Sequence, residues 1–499
     1  MAQARGLEGV LKSGVVGEAR EWTCDDLAGS QANAQSGQSG FGLLTAGDEA
    51  FLARAFLIAR ARRTLDLQYY LFKADASGAM LSAAILQAAD RGVRVRLLVD
   101  GWPLLWRDPQ SALLNTHPNV EIRLFNPVAG YGGGALAGLA GMLANVRRLN
   151  RRMHNKVFIA DERIVVIGGR NLADRYFGIS ADFGFRDMDA LCTGALVADI
   201  AASFDAYWNS DSTRTLQSVG VGNRSAAEVA RFRNRLAQLG KRRRIADFEA
   251  QMAKTGLAAS LARGELDWKW GQARLIVDAP EKISGALSDN PSPLEQLVEL
   301  AQSATRELLM VSPYFVPGER GMAVLSDLRA RGIRVLLVTN SLASTDVVAV
   351  HTAYQRYRQR LLEIGVEIRE VKPFAAGDGP RVHLFGHGRG SLHAKAYIFD
   401  CRHVVIGSLN LDPRSMNLNT EIGVLVSSEA FAGQVRECVD VLASPDYSYR
   451  VRLDGESGAL VWDEQGRADG ERFGHEPLAG WWRRAVVFLL SWLPIEDQL

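Results

Sequence analysis

No run of about 18 uninterrupted apolar residues, the length a spanning helix needs, occurs in the 499-residue chain. That argues against a transmembrane helix. The first stretch, Met1–Arg20, likewise holds no apolar core long enough for a secretory signal. Cysteine is scarce. Cys24, Cys192, Cys401 and Cys438 lie scattered, with no Cys-x-x-Cys pair and no zinc spacing. Neither a disulfide scaffold nor a zinc module fits, no metal or other cofactor is called for, and a reducing cytosolic face is the simpler setting. Charge of one sign is also lacking: 58 basic against 56 acidic residues leave a net +2. A dedicated nucleic-acid binder would be strongly basic, so nucleic acid is not an expected partner. A membrane surface stays open, because local patches matter there more than the sum.

What the chain does have is the composition of a folded protein, 47% hydrophobic and 23% charged. It also has a length that one ordinary core does not accommodate. An internal repeat resolves that length. Phe56–Tyr70, Gly92–Val99, Val120–Leu124 and Met153–Gly169 recur in the same order as Leu297–Tyr314, Gly332–Val338, Val366–Glu370 and Leu392–Ser408. Within each half, short β-branched runs alternate with helical periods. Leu81–Arg91 reads as a helix feeding the strand VRVRLLV, and Met322–Arg331 feeds VLLVTN in the same way. Strand–helix–strand alternation predicts an α/β unit, and two such units form one pseudo-symmetric body.

The resulting division is an N-terminal extension (1–47), a first α/β domain (48–215), a basic helical connector (216–270), a second domain (271–450) and a terminal hairpin with an apolar helix (451–499). The connector's Lys241-Arg242-Arg243-Arg244 run reads as a solvated face.

Both halves carry one spaced pattern: His, one residue, Lys, four residues, Asp, six residues, Gly, two residues, Asn. The members are His154, Lys156, Asp161, Gly168 and Asn171, then His393, Lys395, Asp400, Gly407 and Asn410. Five identities match by chance on the order of once in a million start positions, and here they match twice. His-x-Lys in an alternating run sends both side chains to one strand face. A tight turn at Glu162-Arg163 or Cys401-Arg402 then leads into a second strand that returns Gly and Asn to the same end. Lysine and asparagine supply the charge and amide donors that a phosphodiester's oxygens need as they gain charge. Histidine supplies a nucleophile, or an acid and base, near neutral pH.

Both patterns resemble the HKD motif of the phospholipase D superfamily, over roughly residues 50–450. The resemblance implies two pseudo-symmetric phospholipase D-like α/β domains, each a mixed sheet flanked by helices, with the active site at their interface. It implies His154 as nucleophile forming a phosphohistidine and His393 as acid and base. Lys156, Lys395, Asn171 and Asn410 would bind phosphoryl oxygens. Asp161 and Asp400 complete the motif and read as local structural carboxylates. No metal is required.

The halves differ at Gly168-Gly169 against Gly407-Ser408, so Ser408 has a hydroxyl to offer phosphate where Gly169 has only its backbone. An acid on the neighbouring strand is expected to hold each histidine ring: Glu421 in one half, Asp187 or Asp189 in the other, with Asp189 aligning with Glu421 by the following apolar run. The runs LDLQYY, RLNRRMHNK, GGRNLADRYF, SPYFVPGERG and LSWLPIEDQL are similar to bacterial cardiolipin synthases, particularly the C-type branch. That implies phosphatidyl transfer, with phosphatidylglycerol and possibly phosphatidylethanolamine as substrates, on the inner face of a bacterial cytoplasmic membrane. Hydrolysis to phosphatidic acid and nucleic-acid phosphodiester cleavage are the competing activities.

Four further features have an ordinary reading beside a functional one. Tyr69, Tyr70, Tyr314 and Phe315 end apolar strands and read first as core. His351 reads as a satisfied polar residue, with pocket lining as the minority reading. The glycine-softened stretch Gly130–Gly141, with Arg147, Arg148, Arg151 and Arg152 beside it, fits either an exposed basic helix or a segment touching the bilayer with its arginines on headgroups. Trp481–Pro494 caps the second half with some membrane contact of its tryptophans.

Overall fold

The structure is a computed structural model, and it describes residues 22–28, 36–102, 109–127, 150–180, 183–285, 291–374, 390–464 and 471–492. The Gly130–Gly141 stretch, Arg147 and Arg148 lie outside the described residues, as does the end of the terminal segment beyond Trp492.

The first half strings β1 (Ser39–Leu44), β2 (Thr64–Tyr69), β3 (Arg94–Asp100), β4 (Val120–Phe125), β5 (Val157–Ala160), β6 (Ile164–Gly168), β7 (Gly184–Arg186), β8 (Asp189–Gly194) and β9 (Thr213–Thr215). All but β7 form one sheet in the spatial order β1-β8-β6-β5-β2-β3-β4-β9. The pairs β2–β3 and β3–β4 are parallel and the others antiparallel. Helix Ala76–Asp90 crosses from β2 to β3, close to the expected Leu81–Arg91.

The second half adds β10 (Lys269–Val277), β11 (Glu307–Val311), β12 (Arg334–Asn340), β13 (Glu367–Val371), β14 (Gly390–Leu392), β15 (Ala396–Phe399), β16 (His403–Gly407), β17 (Ile422–Ser427), β18 (Ser448–Leu453), β19 (Leu460–Asp463) and β20 (Arg472–Phe473). It repeats the order as β10-β17-β16-β15-β11-β12-β13-β18 and extends it by β19 and β20. Each half is therefore the mixed, helix-flanked sheet that the resemblance implies.

Two strand pairings tie the halves together. β1 pairs with β10, Gly40 opposite Trp270, so the stretch taken as an N-terminal extension supplies the strand that joins the sheets. β7 and β14 form a separate parallel ribbon, Arg186 opposite Leu392. Strand alternation then decides the cores. Val157 and Ile159, with Ala396 and Ile398, face a core shared by both halves. Phe158 and Ala160 face the first half's outer core, and Tyr397 and Phe399 the second's.

The connector folds as helices Ala226–Ala237, Arg243–Met252 and Gly256–Arg263. Their buried Phe232, Phe248 and Leu261 join the first half's core. Their charges stay outside, Arg243 being 96% exposed.

Candidate active site

Each HKD strand ends at the seam between the halves, and the seam is stitched through the motif itself. The backbone N–H of His154 donates to the Thr420 carbonyl at 2.9 Å, and that of His393 to the Arg186 carbonyl at 2.7 Å. The two histidines thus stand at one interface, each hydrogen-bonded to the opposite half.

The ring contacts are crossed in the same sense. His154 Nδ1 donates to Glu421 at 2.9 Å, and His393 Nδ1 to Asp187 at 2.6 Å. The carboxylate holding the first-half ring comes from the second half, and the reverse. Committing Nδ1–H to a carboxylate leaves the lone pair on Nε2.

Asp189 does not hold a histidine. It sits in a buried cluster with Arg54 at 2.9 Å and Arg170 at 3.3 Å. The strand registers explain the misalignment. Gly168 stands opposite Asp189 and Gly407 opposite Gly423. Asp189 therefore matches Gly423, and Asp187, two residues earlier, matches Glu421. Aligning on the apolar run slipped the pairing by one pleat repeat.

Gly169 and Ser408 are engaged with the carboxylates and their strand. A Cβ on Gly169 would lie 2.2 Å from Asp187 Oδ1, and the Gly169 N–H donates to the Met188 carbonyl at 3.2 Å. In the other half the Ser408 hydroxyl donates to Glu421 Oε2 at 2.5 Å. The pairs are reciprocal: glycine makes room for the shorter acid, and serine orients the longer one. Ser415 donates to the other Glu421 oxygen at 2.8 Å, and the Glu421 N–H is held by Asp278 at 2.9 Å. Nothing in the spacing of Ser415 or Asp278 marked them.

Lys156 donates to its own motif's His154 carbonyl at 2.6 Å. Lys395 donates to the His393 carbonyl, and its Nζ stands 3.1 Å from His393 Nδ1. Burial drives both ammonium groups toward deprotonation, Lys156 to about 7 and Lys395 downward as well, with Glu421 and Asp187 opposing it. Burial also lowers both imidazoles, His154 to about 4 against the pull of Glu421, and His393 against that of Asp187. The carboxylates move down. Burial works against Asp187, yet His393 and Lys395 hold it at about 2; His154 and Lys156 lower Glu421 too, against its burial. His154 is thus a neutral ring on Glu421, and His393 rests on an ionised Asp187, with a buried lysine beside each.

Asn171 donates through Nδ2 to Tyr176 Oη at 2.9 Å and accepts from the Leu71 N–H at 3.2 Å. Asn410 is buried and its Oδ1 has no hydrogen-bond partner.

The motif aspartates lie elsewhere. Asp161 accepts the N–H groups of Arg62, Arg63 and Thr64 at 2.7–3.1 Å. Asp400 does likewise for Thr305, Arg306 and Glu307. Each caps the link between a helix and a central strand. From His154 to Asp161 the chain runs the length of β5, roughly 20 Å at strand rise. The β5–β6 turn centres on Asp161 and Glu162 (φ 53° and 55°), the β15–β16 turn on Asp400 and Cys401. That is one residue earlier than the expected pairs.

Aromatics complete the site. Tyr70 packs edge-on to His154, ring centroids 5.6 Å apart. Tyr176 and Phe185 pack on His393 at 5.2 and 5.0 Å. Tyr69, by contrast, is core, accepting from Arg54 at 3.1 Å. Tyr314 donates to Asp346 at 2.9 Å. His351 meets Glu476 at 3.3 Å inside the second half, away from the seam. Arg152 is buried and paired with Asp100 at 3.1 Å, so it reaches no headgroup, while Arg151 donates to the Ile283 carbonyl at 3.3 Å.

A family model described as cardiolipin synthase, phospholipase D-like domain, matches residues 56–208 and 297–442, one match per half. The chain belongs to the phospholipase D-like cardiolipin synthase family. It is 36% identical to cardiolipin synthase C of Escherichia coli over 92% of this chain and 96% of that one. It is 27% identical to cardiolipin synthase 1 of Bacillus cereus over 76% of this chain and 62% of that protein. Among solved structures, phosphatidylserine synthase from Haemophilus influenzae shares the fold, with a TM-score of 0.58 at 13% identity, covering 94% of this chain and all of that one. Membership of this phospholipase D-like family accounts for the duplication: the family unit occurs twice, and the site lies where the copies meet.

Proposed function

We propose that this protein synthesises cardiolipin by phosphatidyl transfer through a phosphohistidine, with phosphatidylglycerol as acceptor and phosphatidylglycerol or phosphatidylethanolamine as donor. The observation that carries it is the crossed pair of histidine–carboxylate contacts. His154 Nε2 attacks phosphorus, the bond to the leaving alcohol breaks, and protonated His393 gives that oxygen its proton. His393 then takes the proton of the incoming hydroxyl, whose oxygen attacks phosphorus as the phosphorus–nitrogen bond breaks. Glu421 and Asp187 keep each ring in the required tautomer and stabilise it when charged. Lys156 and Lys395, with the amides of Asn171 and Asn410, bind the phosphoryl oxygens. Similarity to relatives named cardiolipin synthases supports the lipid substrate.

The protein works at the inner membrane of a bacterium, on the cytoplasmic face, as a peripheral enzyme. No described helix is long and apolar enough to cross a membrane. Helix Trp481–Ser491 supports surface contact. It buries Val487 against the second half and anchors Arg483 on the Leu342 carbonyl at 2.6 Å. Its other side leaves Trp481 76%, Phe488 62% and Trp492 77% exposed, the side-chain types that settle at bilayer interfaces. Capping and membrane contact are thus two sides of one helix.

The deciding experiment incubates purified protein with phosphatidylglycerol, with and without phosphatidylethanolamine. Cardiolipin is the expected product; phosphatidic acid alone means hydrolysis. Labelled lipid with His154→Ala and His393→Ala assigns the roles: adduct is expected only with His393→Ala, and the reverse result exchanges them.

A further inference from the structure

The repeat allows one half to be compared with the other, position by position. In each half three residues link the first helix to the central strand, between Arg60 and Thr64 and between Ser303 and Glu307. An isolated bridge past that strand, Phe72–Leu172 or Phe315–Leu411, fixes the chain after the motif asparagine. Phe51 then corresponds to Leu294, Arg54 to Leu297 and Phe177 to Met416. Arg170 corresponds to Leu409, and Asp189 to Gly423.

In the first half this space is full. The rings of Phe51 and Phe177 pack edge to face at 5.3 Å. The Arg54 guanidinium lies 5.6 Å from the Phe177 ring centre while bonded to Asp189, which Arg170 also holds. In the second half each counterpart is smaller or uncharged, and three of them, Leu294, Leu297 and Met416, line a cavity of about 240 Å³.

Leu297, Ala301, Phe315, Leu325 and Met416 line the cavity, with exposed Glu319 and Arg320 at its rim. Leu294, Leu297, Leu411 and Met416 also border a narrow cleft that reaches Asn410 and Glu421. The apolar space therefore adjoins the site through Asn410 and Leu411, which are neighbours in the chain. Protein interiors seldom leave such room, and an apolar cavity of only about 150 Å³ accepts benzene.

We propose that this cavity binds one fatty acyl chain of the phospholipid whose phosphate lies between His154 and His393. The proposal rests on the phosphatidyl-transfer reading and adds a hydrocarbon subsite to it. Among the described residues of the first half the matching space is filled by rings and an ion cluster. Of the two lipids in the reaction, only one is gripped here by its tail.

The test refills the cavity with the rings that the first half carries, as Leu294→Phe/Met416→Phe. Binding of a fluorescent monoacyl phosphatidylglycerol is measured by titration. Turnover of dioleoyl against dihexanoyl phosphatidylglycerol is measured in mixed micelles. The wild type is expected to prefer the long chains at least tenfold. The variant should bind the probe at least tenfold more weakly and lose most of that preference. Unchanged probe affinity with unchanged chain preference overturns the proposal. If the double variant does not fold, Ala301→Leu carries the same comparison. Failure of the underlying reading is distinguishable: the wild type would then make no cardiolipin, while probe binding to wild type and filled variant would still decide whether the cavity takes a chain.

Discussion

Replacing Asp187 by asparagine removes one negative charge from a fully buried position while keeping the side chain's size. Asp187 is the carboxylate at 2.6 Å from His393 Nδ1. With the charge gone, Lys395 remains 3.1 Å from the same nitrogen and loses the strongest of the carboxylates that offset its burial. A buried pair that loses one member costs about 3–5 kcal/mol. Applied to the step in which His393 is charged, that is roughly a 150- to 5000-fold loss of kcat. The direction in pH follows from the same contact. Asp187 raises the affinity of His393 for its proton, so the variant's residual activity should move to lower pH.

Asp189→Asn is the control. It removes an equally buried charge two residues away, but its partners are Arg54 and Arg170. It should lower unfolding stability while kcat per folded molecule stays within about tenfold. Steady-state rates corrected for folded fraction decide the matter. If Asp187→Asn costs less than tenfold, or if Asp189→Asn costs as much, the crossed-carboxylate account is wrong.

The free enzyme's pH profile follows from its shifted groups. His154 must be neutral to attack and is so above about 4. Lys156 must be charged to bind phosphate and is so below about 7. His393 must carry its proton as the acid, and burial lowers its proton affinity; hence kcat/KM should fall on the acid side near the first value and on the alkaline side at or below the second, and a flat profile up to pH ~9 contradicts both roles. Asp161→Asn and Asp400→Asn each weaken three backbone contacts far from phosphorus. Each should lose about 2 kcal/mol in urea unfolding with kcat per folded molecule changed less than about threefold, and a large selective loss of kcat would return these residues to the chemistry. Trp481→Ala/Trp482→Ala removes two exposed rings and should cut partition onto phosphatidylglycerol vesicles about tenfold with Tm unchanged. Equal partition would remove the terminal helix from membrane contact.

The fold was legible because its signals are local and repeated. Strand alternation and two copies of one spaced motif predict two α/β units, the resemblance adds that their sheets are mixed, and both appear. What the sequence did not expose depends on register. Asp187 and Asp189 are two residues apart, and only the opposition of Gly168 to Asp189 separates a histidine partner from a member of an arginine cluster. Ser408 carries a hydroxyl next to a motif glycine, but whether it faces substrate or Glu421 depends on a strand 13 residues later. Arg152 reads as a surface cation until Asp100, 52 residues away, proves to be its buried partner. The strand Ser39–Leu44 is short and glycine-broken, and only its two sheet neighbours make it a junction.

The crossed histidine–carboxylate contacts have an evolutionary consequence. Either copy of the repeat expressed by itself would carry an imidazole whose supporting acid resides on the missing copy, so neither is a self-sufficient catalyst. An ancestral single-copy protein of this plan would have had to meet its twin to work, with both rings supported identically. In a fused chain that constraint is lifted, and one seat can hold a glycine with an aspartate and the other a serine with a glutamate. Transplanting either seat into the opposite copy should therefore require both of its residues together.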